Sequence, residues 1–183
     1  LYSDRGSKIG NLPTGKNWYC LGGLVGLAAR RGVAGSASFE NCTVSGYQIV
    51  DERSKGYSST EYSPGWGGGC VGGLVGATNM KITRCTAVTD ITMDIGYYVG
   101  YMNVRVGGIA GVCRGEVSEC YAGGSIVSPK KAQRHTLDFG KCTSIWAGGL
   151  VGGIVMRDQG SLMQLLGSVT DRLYVRNSYS YGK

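Results

Sequence analysis

The sequence predicts an all-β fold, a parallel β-helix or solenoid of about four irregular coils with long loop insertions. The first observation is a repeated glycine-framed pentapeptide: GGLVG occupies residues 22–26, 72–76 and 148–152, and GGIAG occupies 107–111. The second is that an alternating segment ending at a cysteine follows the pentapeptide in most copies. A short strand-rich unit cannot bury its own apolar face, but stacked units bury one another.

Each unit contains the pentapeptide, a variable insert, an alternating segment and a further short strand. Cys85 and Cys120 stand thirteen residues after the first glycine of their units, Cys42 follows a longer insert, and Ser178 holds the same place in the last unit. KITRC and EVSEC alternate with period two, as strands do, and this much glycine disfavours helices. We place the repeat cores in one domain, 1–183, near residues 22–50, 72–93, 107–127 and 148–182.

Stacked parallel coils place equivalent residues about 4.8 Å apart, so the repeats predict rows of like side chains. The glycines that frame each pentapeptide allow corners in which a Cβ atom would clash. One predicted inward row contains Leu24, Leu74, Ile109 and Leu150. The other contains Cys42, Cys85 and Cys120, and Ser178 continues it.

The pentapeptides, with the segments NCTVSG, RCTA and ECYAGG after them, resemble the GLUG repeat over about residues 19–182. The resemblance implies a β-helix from a bacterial surface protein, because this motif occurs in adhesins and in non-catalytic parts of some immunoglobulin-cleaving peptidases. It therefore implies an extracellular or cell-surface location and a role in cell adhesion.

Charge and hydropathy exclude several classes of partner. The net charge of +7 is mildly biased toward residues 101–183, which hold +5 of it. The most concentrated basic stretch, 129–135, is short and typical of a solvated loop, so we expect no nucleic-acid partner. No apolar run approaches the ~18–20 residues of a membrane span. The first residue is Leu1, from which we expect a processed or excised chain.

The cysteines do not form a metal-binding pattern. The chain has seven cysteines, no C-x-x-C and a single histidine, His135, so we expect neither a metal nor a cofactor. Cys42, Cys85 and Cys120 are expected to be reduced core residues. Cys20 and Cys70 each lie two residues before a glycine pair, and a bridge between these stacked neighbours stays open.

Carboxylates supply the main argument for an enzyme. Asp90 with Asp94, and Glu116 with Glu119, could serve a polysaccharide-acting β-helix enzyme, since such enzymes use pairs of acids. The same residues are equally typical of solvent-facing strand charge. We predict no enzymatic activity and keep the enzyme as an alternative.

Aromatic residues among small polar ones mark two irregular stretches, 55–69 and 96–103. Such segments suit stacking on a glycan or contact with a host or cell-surface protein, although they could also only cover a flank. We therefore predict a non-enzymatic extracellular adhesion or scaffold module. A self-assembling filament subunit with end-to-end contacts, and a larger parent protein, stay open. The proposed ligand-binding residues are Tyr57, Tyr62, Trp66, Tyr97, Tyr98 and Tyr101.

Overall fold

The computed structural model describes residues 2–4, 18–29, 37–52, 67–94, 102–128, 143–154, 166 and 174–182. Every regular element in these ranges is a β-strand. Glycine and β-branched residues dominate the strands, and neither favours a helix. The predicted all-β class is confirmed for this part of the chain.

The strands fall into one leading strand and four repeats. The leading strand is β1 (Tyr2–Asp4). Repeat 1 contains β2 (Trp18–Gly22), β3 (Val25–Ala28), β4 (Ser38–Glu40) and β5 (Thr43–Glu52). Repeat 2 contains β6 (Gly67–Gly72), β7 (Val75–Thr78), β8 (Lys81–Thr83) and β9 (Thr86–Asp94). Repeat 3 contains β10 (Met102–Gly107), β11 (Ala110–Cys113), β12 (Glu116–Ser118), β13 (Tyr121–Gly123) and β14 (Ile126–Val127). Repeat 4 contains β15 (Thr143–Gly148), β16 (Val151–Gly153), β17 (Tyr174–Arg176) and β18 (Tyr179–Tyr181).

Four parallel sheets run through the repeats. Sheet 1 has the order β2-β6-β10-β15, sheet 2 β3-β7-β11-β16, sheet 3 β4-β8-β12-β17 and sheet 4 β1-β5-β9-β13-β18, with β14 also on β9. Neighbours in every sheet come from consecutive repeats, and all of these pairings are parallel. The repeats are therefore stacked in sequence order, which fits a β-helix.

The pentapeptide forms the corner between sheets 1 and 2. In every repeat, its first glycine is the last residue of the strand in sheet 1, and its fourth residue is the first residue of the strand in sheet 2. A Cβ atom on Gly72 would meet the carbonyl oxygen of Val75, and it would lie 2.8 Å from the Cα of Ala110 in the next repeat. The chain thus needs glycine here because backbone occupies the side-chain space.

The apolar core lies between the sheets and is most complete in repeats 2 and 3. Leu74 and Ile109 are fully buried, and Leu150 is half-buried against the same cluster. Leu24 differs from the expected inward row, because it is 53% exposed. Among the described strands, β3 of repeat 1 lies at one end of sheet 2. Leu24 therefore has a stacked neighbour on one side only.

Candidate functional site

A left-handed turn joins sheets 3 and 4 in every repeat. Four non-glycine residues have positive φ, between 46° and 55°, and each directly precedes the cysteine or serine of its repeat. Asparagine adopts this conformation more readily than arginine or glutamate does. The turn is thus imposed by the stacking of the strands on either side. These residues are Asn41, Arg84, Glu119 and Asn177.

The cysteine row stabilises this turn. The thiols of Cys85 and Cys120 each donate to the carbonyl two residues earlier, at 3.2 Å, and the hydroxyl of Ser178 does so at 2.8 Å. The backbone N–H of Cys85 donates to the Sγ of Cys120 at 3.4 Å, and that of Cys120 donates to the Oγ of Ser178 at 3.0 Å. Ser178 therefore takes the place of a cysteine because the position needs a small donor and acceptor. Cys42 lies at the other end of the row and is half-buried.

Burial makes the inner thiols poor nucleophiles. Desolvation raises the pKa of Cys85 to about 11 and the pKa of Cys113 to about 11. A thiol with such a pKa is protonated at neutral pH, and only the thiolate is a strong nucleophile or metal ligand. Cys20 and Cys70 pair in register in sheet 1, and neither forms a disulfide.

The acids in the described residues connect neighbouring strands. Asp90 accepts the backbone N–H of Ser125 at 2.8 Å. Glu116 lies 3.5 Å from the Nζ of Lys81 and 3.9 Å from the Nε of Arg176, so it bridges three repeats. Glu119 is exposed in the left-handed turn, and the side chain of Asp94 is outside what the structure describes.

A cavity of about 260 Å³ lies between sheet 4 and the glycine corner of repeats 3 and 4. Small residues such as Ala122 and Gly149 line it, together with the side chains of Thr89 and Ser180. None of its lining residues is an acid, a base or a thiol. Elsewhere in the described ranges, no three His, Cys, Asp or Glu side chains are grouped as a metal would require.

The six aromatic residues predicted to bind ligand lie outside the described residues, so that prediction stays a prediction. They are Tyr57, Tyr62, Trp66, Tyr97, Tyr98 and Tyr101.

A different group of aromatic residues occupies the outer face of sheet 4. Ala122 packs in the core, so its strand neighbour Tyr121 points to the opposite face. Tyr121 pairs in register with Tyr179, and their ring centroids are 4.9 Å apart with an interplanar angle of 44°. Tyr179 is 65% exposed and Tyr181, on the same face, is 80% exposed. We call these three residues, Tyr121, Tyr179 and Tyr181, the tyrosine face.

Glycine leaves room for a ring on the tyrosine face. A Cβ atom on Gly123 would lie 2.8 Å from the hydroxyl oxygen of Tyr121, so that ring lies across Gly123. Val88 pairs with Gly123 and extends the exposed apolar surface into repeat 2. A signal for this face was present in the sequence: tyrosine directly follows the Cys120 or Ser178 position in CYAGG and SYSYG.

Two further aromatic residues at the repeat 4 edge contact arginine. The guanidinium of Arg105 lies 4.4 Å from the ring centroid of Trp146, and that of Arg176 lies 5.5 Å from the ring of Tyr174. Both distances are within the range of a cation–π contact. Arg105 is buried, whereas Trp146 and Tyr174 are exposed.

Comparison with protein-family models, curated proteins and solved structures gives no match. The resemblance to the GLUG repeat thus stays a prediction based on the residues that carry it. No helix in the described part of the chain has the length and apolar character needed to cross a membrane.

Proposed function

We propose that the protein is a non-enzymatic β-solenoid module of the cell surface or extracellular space that binds a glycan through its tyrosine face. The observation that carries the proposal is the contact between the rings of Tyr121 and Tyr179, with the exposed Tyr181 on the same face of sheet 4. Aromatic rings offer apolar faces with a polar hydroxyl at the edge, a combination that suits the mixed C–H and O–H surface of a sugar.

The parallel register supports the solenoid part of this proposal. Equivalent residues of all four repeats pair in sheets 1 to 4, and the same glycine corner recurs in each repeat. A rigid stack of this kind holds outer-face side chains at fixed spacing, so little conformational entropy is lost when a ligand binds.

The chemistry of the acids supports binding rather than turnover. Glu116 is held by two cations, and Asp90 is held by a backbone N–H. The cavity beside sheet 4 has no acid or base in its lining. Adhesion and an extracellular location follow from the GLUG resemblance and belong to the same proposal.

A glycan array followed by titration of the best ligand tests this proposal. Tyr179→Ala with Tyr181→Ala should weaken binding about tenfold or more, as expected for aromatic anchors, and should leave the circular dichroism unchanged. The matched control is Tyr174→Ala, which removes an exposed tyrosine from sheet 3 and should bind as wild type does.

Three outcomes would contradict glycan binding through the tyrosine face. Equal loss in the control and the double variant would mean a nonspecific effect. Loss only in Tyr62→Ala with Trp66→Ala would assign binding to the predicted aromatic loops. Cleavage of a glycan that Asp94→Asn or Glu119→Gln abolishes would replace the binding module with the enzyme.

A further inference from the structure

We propose that copies of this chain stack end to end, with repeat 4 of one copy continuing onto repeat 1 of the next. The partner is a second copy because the two ends of the stack match in backbone hydrogen bonding, apolar side chains and charge. The proposal concerns the strand edges and does not depend on glycan binding.

Among the described strands, repeat 4 forms one outer edge of each sheet. Its strands β15, β16, β17 and β18 are the last of the described strands in sheets 1 to 4. Val175 belongs to the row of Phe39, Ile82 and Val117, yet it is 46% exposed, whereas Ile82 and Val117 are fully buried. Open parallel edges with apolar side chains are templates for further strand pairing.

Repeat 1 presents the complementary edge. Its strands β2, β3 and β4 are the first of the described strands in sheets 1 to 3, and Leu24 is exposed there. In sheet 4, β1 covers only Val50–Glu52 of β5. The segment Thr43–Ser45 occupies the same place in repeat 1 as β18 does in repeat 4, and β1 does not pair with it.

The backbone hydrogen bonds between repeats follow one pattern, which the two ends continue. The N–H groups of Leu24, Leu74 and Ile109 donate to the carbonyls of Leu74, Ile109 and Leu150 at 2.9–3.0 Å. By the same pattern, the N–H of Leu150 is directed to the carbonyl of Leu24 in the next copy.

The turn between sheets 3 and 4 shows the same continuity. The N–H groups of Asn41, Arg84 and Glu119 donate to the carbonyls of Thr83, Ser118 and Arg176 at 3.0–3.2 Å. The N–H of Asn177 is thus directed to the carbonyl of Glu40 in the next copy. The side chains of Asn177 and Asn41 then meet, and an asparagine at this place already accepts across a junction, since Arg84 Nε donates to Asn41 Oδ1 at 2.9 Å.

Charge on sheet 3 completes the match. Each junction inside the chain has an opposite-charge pair on this sheet or its adjoining turn: Arg84 with Glu40 at 3.7 Å, Lys81 with Glu116 at 3.5 Å, and Arg176 with Glu116 at 3.9 Å. Glu40, Thr83, Ser118 and Arg176 form one row, so a stacked copy places Glu40 on Arg176. The contact joins different surfaces of the two copies and continues the stack along its own direction, so it extends into a filament.

Sedimentation velocity over a concentration series tests this contact. The wild-type chain should grow in mass with concentration. Arg176→Glu and Glu40→Arg should each weaken association about tenfold, because repulsion replaces attraction between exposed charges. An equimolar mixture of the two variants should recover wild-type association, because every junction between unlike variants then joins one acid to one base.

Each substitution also removes an ion pair inside its own chain, Glu40 with Arg84 or Arg176 with Glu116. These pairs are missing in the mixture as well, so association that recovers in the mixture must come from the contact between copies. The Tyr121→Ala variant removes a ring of the tyrosine face from repeat 3, inside the stack and away from its edge, so it should associate as wild type does, which separates this proposal from glycan binding. A wild-type chain that stays monomeric overturns the proposal. So does a mixture that associates no better than either variant alone, provided that circular dichroism shows both variants folded.

Discussion

Repeats 2 and 3 differ from repeats 1 and 4 in environment far more than in sequence. Leu74 and Ile109 are fully buried, whereas Leu24 is exposed and Leu150 is half-buried, although all four occupy the same place in the pentapeptide. The difference teaches that a repeat of this kind is completed by its neighbours. Stability is thus expected to be concentrated in the middle of the stack, as in other one-dimensional arrays.

The chemistry divides in the same way. The middle repeats contain Cys85, Cys113 and Cys120, whose burial raises the pKa of each thiol. Repeat 4 instead exposes Tyr179 and Tyr181. In the described part of the chain, the buried residues therefore hold the repeats together, and these exposed aromatic residues lie on the outer face of sheet 4.

The largest expected effect is a charge placed in the middle of the cysteine row. Cys85→Asp buries a carboxylate in an apolar cluster and should abolish the cooperative unfolding transition, because the cost exceeds about 4 kcal/mol. Cys85→Ala should cost about 1–2 kcal/mol. Urea unfolding followed by circular dichroism measures both variants.

The same charge at the end of the row is the matched control. Ser178→Asp changes a half-buried residue of repeat 4 and should leave a folded protein with reduced stability. A Cys85→Asp protein as stable as Ser178→Asp would remove the distinction between middle and end repeats.

Truncation of the leucine row should give the next largest difference. Leu74→Ala removes a fully buried side chain and should lower the free energy of unfolding by about 2–5 kcal/mol. Leu24→Ala removes an exposed one and should cost less than about 1 kcal/mol. Equal losses in the two variants, measured by urea unfolding, would mean that Leu24 is covered in solution. Growth in mass with concentration would then assign that cover to a second copy.

A methyl group added at the glycine corner should give a smaller contrast. Overpacking costs about 1–3 kcal/mol, and Gly72→Ala should lie at the upper end because its Cβ would meet backbone in two repeats. Gly148→Ala should cost less, since the atoms nearest to its Cβ all belong to the backbone of Val151 and Gly152 in its own repeat. Thermal unfolding of both variants checks the order, and a reversed order would contradict the one-sided contact of repeat 4.

The last expected effect appears only above pH 9 and is a pH dependence that comes from the middle thiols. The pKa of Cys85 is raised from 9.0 to about 11 in the fold, so the folded state holds this proton more tightly than the unfolded state does. Its contribution to stability is complete below pH 9 and is lost as the pH rises toward 11. Cys85→Ser has no thiol to titrate, so the stability advantage of wild type over this variant should shrink across that window. If urea unfolding gives the same difference in stability between wild type and Cys85→Ser at pH 9 and at pH 11, the raised pKa of the Cys85 thiol is contradicted.

Much of the architecture was predictable from the repeats. In a parallel stack, residues at the same place in consecutive repeats pair with each other, so aligning the repeats predicts the strand register. The place of Ser178 in the cysteine row is the clearest case, since its hydroxyl makes the same contacts as the thiols. The tyrosine face was not predicted. Period two shows that Tyr121 and Ala122 face opposite sides, but it does not show which side is the core until the sheets are assembled.

The sequence by itself determined the repeating unit, the all-β class and the glycine corners. Each of these depends on local backbone chemistry and on spacing along the chain. Only the tertiary structure decided which copies of the unit are buried and which outer residues come together. Burial of Leu74 and exposure of Leu24 depend on how many neighbours stack on each repeat. The contact of Tyr121 with Tyr179 joins residues far apart in the chain, and the parallel pairing of repeats 3 and 4 alone brings their rings within 4.9 Å.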